Sequence, residues 1–349
     1  MTFLSRRSVI KLTGGAVGAS LAAPAIAQGS TLTISTWGGV TADGIRDFVG
    51  PEFQKQTGAK LAFDIGGQGA RYNKLLAQKG NQTADVFFGT DESIVAGLQA
   101  GVLQTAEKQA IPNYADVQEW AKTVRPADPA TQIAGVPYTL ISYVLGYNPE
   151  IVKTPPTSWA DMWRPEFKGK LAFAAPGHSQ MPALVIIAAE LAGGSVTNID
   201  PGFAKLAELR PNKLTFFWTD WAPTLKTGDT TASTEFDYYL EGMKAQGYPI
   251  EYVFPKEGAI GAAEAAALVA GTPNKGLAQA FLNLMIDPKV QETFAIKTFQ
   301  GPTNRAVALP ASIAAKMSYG DKLKQIRFFD PAFFNDNRAG WTERLNTEV

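Results

Sequence analysis

Trp37-Gly38-Gly39 closes the first β-rich run of this 349-residue chain and has the residue types of a ligand contact. An aromatic face covers a cation or an apolar stem, and paired glycines let backbone approach a ligand closely. The competing reading of Trp37 is a core tryptophan beside a turn. Thr90 and Asp91 end a second apolar run, where Thr90 offers a hydroxyl and Asp91 either a carboxylate contact or a helix cap. His178 and Ser179 fall in a loop after Phe173, the histidine serving either a ligand or the structure. In Trp218-Thr219-Asp220-Trp221, two aromatics flank one carboxylate, which suits an ammonium unless Asp220 caps a helix. Catalytic sets are missing. The chain has one histidine and no cysteine, which excludes a multi-histidine metal site and thiolate chemistry. There is no Gly-x-Ser-x-Gly elbow and no complete P-loop. We therefore expect no catalytic residue, no metal and no cofactor, with an exported enzyme built on distant paired acids as the rival class.

These residues sit at the ends of alternating elements. Thr31-Leu32-Thr33-Ile34-Ser35 reads as a strand, followed by a helical pattern through Ile45, Phe48, Val49 and Phe53 that Gly58 ends. Strands are expected at Lys60–Ile65 and Asp85–Phe88, each followed by an amphipathic helix. The middle of the chain holds an apolar stretch from Ile133 to Asn148 and a strand at Lys170–Ala174. A strongly apolar helix follows at Leu184–Leu191. Then come a strand over Leu214–Trp218, a short helix over Pro223–Lys226 and a strand over Thr230–Phe236 running on into Tyr238-Tyr239-Leu240. Ala262–Val269 is ambiguous, since its alanines favour helix while Pro255 and Pro273 fence it like a strand. Strand–helix alternation argues for α/β architecture with a parallel sheet.

The first residues address the compartment. Arg6-Arg7 precede an uncharged run from Leu12 to Ile26 that ends in the small-x-small pattern Ala25-Ile26-Ala27. This reads as a secretory signal peptide of the twin-arginine type over residues 1–27, and the run falls short of the ~20 residues a membrane span needs. The leader carries Arg6, Arg7 and Lys11 and no acid, so the remaining chain has 29 basic and 32 acidic residues. That balance excludes the basic stripe of a nucleic-acid binder.

Five segments in order resemble the periplasmic solute-binding proteins of polyamine-type ABC importers. Thr33–Gly39 is similar to their first strand and ligand-facing loop, and Gly135-Val136-Pro137-Tyr138-Thr139 to their first crossover between lobes. Pro156–Leu171, reading PTSWADMWRPEFKGKL, is very similar to their P-x-S-W-x-D-L-W-x-P-x-Y-K-G-K-L segment. Tyr252–Gly258 matches their V-x-P-K-E-G crossover, and Asn274–Leu282 with Asp287–Gln291 follow in place. The resemblance implies a two-lobed α/β fold of the periplasmic-binding-protein type II class, with a ligand cleft between the lobes. Residues 28–136 with 260–310 would form lobe 1 and 137–259 lobe 2, with C-terminal helices in 311–349 packing on both. It implies a periplasmic, monomeric protein that delivers its solute to an ABC permease with ATPase subunits. It also adds Tyr138 at the crossover, Phe236 where the family stacks an aromatic on its ligand, and Glu264 where the family's acid holds an amine. The competing reading of Glu264 is an exposed surface glutamate.

One departure narrows the ligand. Polyamine binders use acids early in the helix after the Phe173 strand, and Leu171–Ala189 contains no Asp or Glu. An ammonium without a counter-charge is costly to bury, so the expected ligand carries one amine, with or without an anion. Arg71 or the amides of Gly66-Gly67-Gln68-Gly69 are the candidates to meet that anion. Rival ligands within the superfamily are ferric iron, for which Tyr238-Tyr239 offers phenol oxygens, and a thiamine or an opine held between aromatics.

Overall fold

A computed structural model describes residues 29–178, 180–209, 213–215 and 218–349; the leader and Ser179 lie outside the described residues. The parallel strands β1 (Thr31–Thr36), β2 (Lys60–Ile65) and β3 (Val86–Thr90) build one half of the molecule. β1 leads into α1 (Val40–Gly44), a π turn and α2 (Gly50–Thr57), which buries Ile45, Val49 and Phe53 on one face. The helices α3 (Gln68–Ala77) and α4 (Asp91–Gln99) follow β2 and β3. The core of this half collects Leu32, Ile34, Phe53, Val86, Phe88 and Phe281.

The apolar stretch and the ambiguous alanine-rich stretch both resolve into long strands. Ile133–Asn148 contains β4 (Val136–Tyr147), buried along its whole length. Further along come β5 (Leu171–Ala174), α5 (Met181–Leu191), α6 (Asp200–Ala207), β6 (Lys213–Thr215), α7 (Trp218–Thr227), β7 (Ala232–Phe236), α8 (Asp237–Ala245) and β8 (Glu251–Val253). The alanine-rich segment is a strand, β9 (Ala259–Val269). Its partners overrule helix propensity, because β9 is hydrogen-bonded antiparallel to β3 on one side and to β4 on the other. Small residues are also needed here: a Cβ on Gly261 would lie 2.3 Å from Ile326 Cγ2 on the neighbouring strand β10 (Ile326–Phe328).

The sheet order is β2-β1-β3-β9-β4-β7-β5-β6. β7, β5 and β6 run parallel to one another and β7 antiparallel to β4, so the second half repeats the plan of the first. β4 and β9 are the two strands shared by the halves. The core of the second half holds Trp159, Leu171, Leu184, Ile186, Phe203 and Trp341. The remaining helices are α9 (Lys275–Met285), α10 (Pro288–Thr298), α11 (Ala311–Ala314) and α12 (Pro331–Glu348). α12 touches α4 of the first half and α5 and α6 of the second.

Two expectations are corrected. The strand expected over Leu214–Trp218 ends at Thr215, and Trp218 already begins α7, which carries Pro223 inside it rather than at its start. The strand expected to run into Tyr238-Tyr239-Leu240 stops at Phe236, where α8 begins.

Candidate functional site

A cavity of about 620 Å³ lies between the halves, at the carboxyl ends of β1, β3, β5 and β7. That is where open α/β sheets bind ligands, because loops leave the strands there and helix N-termini converge. Of the residues expected at a site, Trp37, Thr90, His178, Phe236 and Glu264 line this cavity. Gly38 and Gly39 are exposed and off its wall, and Gly39 instead takes φ 65° to start α1, a conformation that favours glycine. Asp91 turns away to accept a hydrogen bond from Thr123. Asp220 is exposed and is not on the wall.

Glu264 is positioned by an irregularity of the sheet. In the β9–β4 ladder Glu264 pairs with Thr139 and Ala265 with Pro137, so the register skips Tyr138. Such bulges re-aim side chains at sheet seams. Tyr138 is 1% exposed and does not reach the cavity. Its ring packs edge-on against Phe88 at 5.0 Å, and its hydroxyl donates to Glu264 Oε2 at 2.6 Å. Tyr138 is thus a support for Glu264, and the expectation of a direct contact is corrected. Glu264 is 5% exposed. Burial pushes its carboxyl up to about 7 against the opposing pull of the Tyr138 hydrogen bond and the Arg71 charge.

Two further carboxylates share the wall with Glu264. Glu235, at the end of β7, accepts from the Phe236 amide at 2.8 Å and from Trp221 Nε1 at 3.4 Å, and burial pushes it up to about 7. Glu92, in the first turn of α4, is buried, and its Oε2 has no donor among the described residues. Aromatic rings cluster beside these acids. Phe236 packs on Tyr143 at 4.2 Å and on Tyr238 at 5.5 Å, and Tyr238 on Tyr239 at 4.2 Å. Burial pushes both phenols above their ordinary range.

Arg71 does not meet the cavity. It is 3% exposed and donates to the carbonyls of Gly66, Ser35 and Phe88 at 2.8, 3.0 and 2.9 Å. Its guanidinium lies 5.0 Å from the Trp37 ring and 4.9 Å from the Phe87 ring, so it fixes Trp37 at the cavity wall from behind. Gly67, Gln68 and Gly69 do line the cavity. Sequence reasoning missed Glu92, Tyr72, Gln180, Asn335 and Arg338. Glu92 was hidden beside the expected cap Asp91. Arg338 belongs to a C-terminal helix that no motif marked.

Residues 50–319 match the family model of the bacterial extracellular solute-binding proteins. The chain belongs to that family. It is 25% identical to the putrescine-binding periplasmic protein PotF of Escherichia coli, over 98% of this chain and 99% of the relative. It is also 25% identical to the gamma-aminobutyric acid-binding protein of Pseudomonas aeruginosa, over 94% of each. A solved ABC transporter structure from Clostridium perfringens superposes with a TM-score of 0.77 at 27% identity, covering 91% of this chain and 99% of that one. The cavity of this solute-binding protein therefore sits in a two-lobed type II fold, between the halves that β4 and β9 join.

Proposed function

We propose that the cavity captures a small solute bearing an amine, and that the closed complex delivers it to an ABC permease driven by ATPase subunits. One observation carries the reading: three carboxylates, Glu92, Glu235 and Glu264, line one cavity, are buried there, and none has a salt-bridge partner among the described residues. Buried acceptors call for donors, and an ammonium supplies three with a compensating charge. Trp37 and Phe236 add aromatic faces suited to an alkylammonium stem. The relatives named for putrescine and gamma-aminobutyric acid support an amine as the common feature.

The rest of the reading follows from the leader and the family. Residues 1–27 direct export by the twin-arginine route to the periplasm, where a monomer works. The halves correspond to 28–136 with 260–310 and to 137–259, and they close about β4 and β9, since a ligand gripped from both sides selects the closed state. Ferric iron is less well supported: the Tyr238 and Tyr239 rings pack on each other, tilted by 39°, and no group of three His, Asp or Glu able to hold a metal occurs among the described residues. The test is a thermal-shift and calorimetric panel of alkylamines, diamines, amino acids, an opine, thiamine and ferric citrate. Amines should raise the melting temperature, because a ligand that binds only the folded chain stabilises it. Binding of thiamine, opine or iron with no response to any amine overturns the proposal.

A further inference from the structure

The C-terminal helix brings a cation to the same cavity. In α12, Phe334, Trp341 and Leu345 are buried in the second half's core, and Arg338 falls between them at helical spacing. An arginine thus sits on the face of α12 that docking buries. The helix also contacts α6 there: Arg344 pairs with Asp200 at 2.7 Å and lies 3.9 Å from the Phe203 ring. Arg338 is half-buried and lines the cavity. One of its nitrogens donates to the Gly177 carbonyl at 3.0 Å, and no carboxylate pairs with it among the described residues. Four of its five N–H groups are left for other acceptors.

His178 lies beside it and also lines the cavity. Its Nδ1 accepts from the Gln180 amide at 3.3 Å, which leaves Nε2 to carry the proton as a neutral donor. Burial, with the Arg338 charge, holds this imidazole down to about 4, so it stays neutral. The cavity wall therefore carries both carboxylates and these nitrogen donors.

We infer that Arg338, with His178 beside it, is an anion anchor, and that the solute is a zwitterion: an ω-amino acid whose ammonium meets the carboxylates of the cavity wall and whose carboxylate meets Arg338. This rests on the amine reading above and extends it. A guanidinium takes a carboxylate through two parallel hydrogen bonds, which lysine cannot reproduce. The anchor also rides on a helix that contacts both halves, with Asn335 Nδ2 donating to Gln99 Oε1 across them at 3.3 Å. A carboxylate held by Arg338 thereby ties the solute's second end to α12.

Calorimetry on the full chain tests this with γ-aminobutyrate, δ-aminovalerate and ε-aminocaproate, each beside the alkylamine of matching length, and with putrescine. The expected result is that at least one amino acid binds more tightly than its matched alkylamine. Arg338→Ala should then remove about tenfold or more of that affinity, Arg338→Lys should restore part of it, and both should leave the alkylamine within about twofold. Glu264→Gln should weaken amino acid and alkylamine alike. If the unaltered chain binds alkylamines or putrescine but prefers no amino acid, or if Arg338→Ala weakens both classes equally, the anion anchor is overturned while the amine reading stands. If the unaltered chain binds no amine of either class, both fall.

Discussion

The Tyr138 hydroxyl donates to Glu264 Oε2 at 2.6 Å from the one residue that the β9–β4 register skips. A buried carboxylate is thus held at the seam of the two halves by a tyrosine that never reaches the cavity. Tyr138→Phe keeps the ring packing on Phe88 and removes only the donor. It should lower unfolding stability by about 1–2 kcal/mol and push the Glu264 carboxyl higher, since that hydrogen bond now favours the ionised form. Urea titration measures the first, and the pH midpoint of amine binding measures the second. An unchanged midpoint would remove Tyr138 from any role at the site.

Amine binding should strengthen with rising pH. Glu235 and Glu264 both sit at about 7 because burial penalises their charge, and an ammonium requires them ionised. Affinity should climb across about pH 6 to 8 and level off above, with protons released on binding. Calorimetry in buffers of different ionisation enthalpy reads that release directly. A flat profile through this range would mean that these two carboxylates do not face the ligand's charge.

The same groups set a stability trend of definite sign. A carboxyl raised in the folded state binds more protons there than in the unfolded chain, so its contribution is present below its ordinary pKa and is lost as pH rises through about 7. His178, held down to about 4, works in the opposite direction at acid pH, so the total curve mixes both signs. The difference between Glu264→Gln and the unaltered chain isolates one group. The variant should gain on the unaltered chain by about 2–3 kcal/mol between about pH 5 and pH 8, measured by denaturant titration without ligand. A gap that shrinks with pH contradicts the sign.

How much of this was legible depended on whether local pattern and tertiary partners agreed. β1, β2 and β3 with their helices follow hydrophobic period and glycine stops, and the structure agrees with them. β9 was not legible, because its alanines favour helix and only the flanking strands make it extended. Pro223 suggested a helix start, yet α7 begins before it. The strongest motif segments turn out to bind each other: Trp159 Nε1 donates to the Gly258 carbonyl at 2.8 Å and the Trp159 amide to Glu257 at 3.1 Å. They identify the fold because they build it, and for that reason they said little about the ligand. Trp37, Phe236 and Glu264 could be read from strand ends and resemblance. Arg338 could not, since what makes it unusual is a buried face that shows only once α12 is docked.

Arg71 should matter more for stability than its distance from the cavity suggests. Its removal strands the carbonyls of Gly66, Ser35 and Phe88 and frees the Trp37 ring it stacks on. Arg71→Met should cost about 3 kcal/mol or more, and Arg71→Lys should recover little, because one ammonium cannot span three carbonyls in this fork. Loss of tryptophan fluorescence change on ligand addition would report a released Trp37. A variant as stable as the unaltered chain would show that these carbonyls find other donors.

Two glycines in helices should respond in opposite directions. At Gly202 in α6, a Cβ would lie 2.3 Å from the Val185 carbonyl oxygen and 2.9 Å from the Ala189 nitrogen, both backbone atoms of α5. Neither can turn aside as a side-chain tip could, so Gly202→Ala must push the two helices apart and should cost about 2 kcal/mol or more. At Gly242 in α8 nothing lies within 4 Å of the added carbon. Gly242→Ala therefore only reduces the freedom of the unfolded chain and should add about 0.5–1 kcal/mol. Neither residue lines the cavity, so amine affinity of the folded protein should stay unchanged in both variants. Melting temperatures that move in the same direction would show that the α5–α6 contact is looser than these distances require.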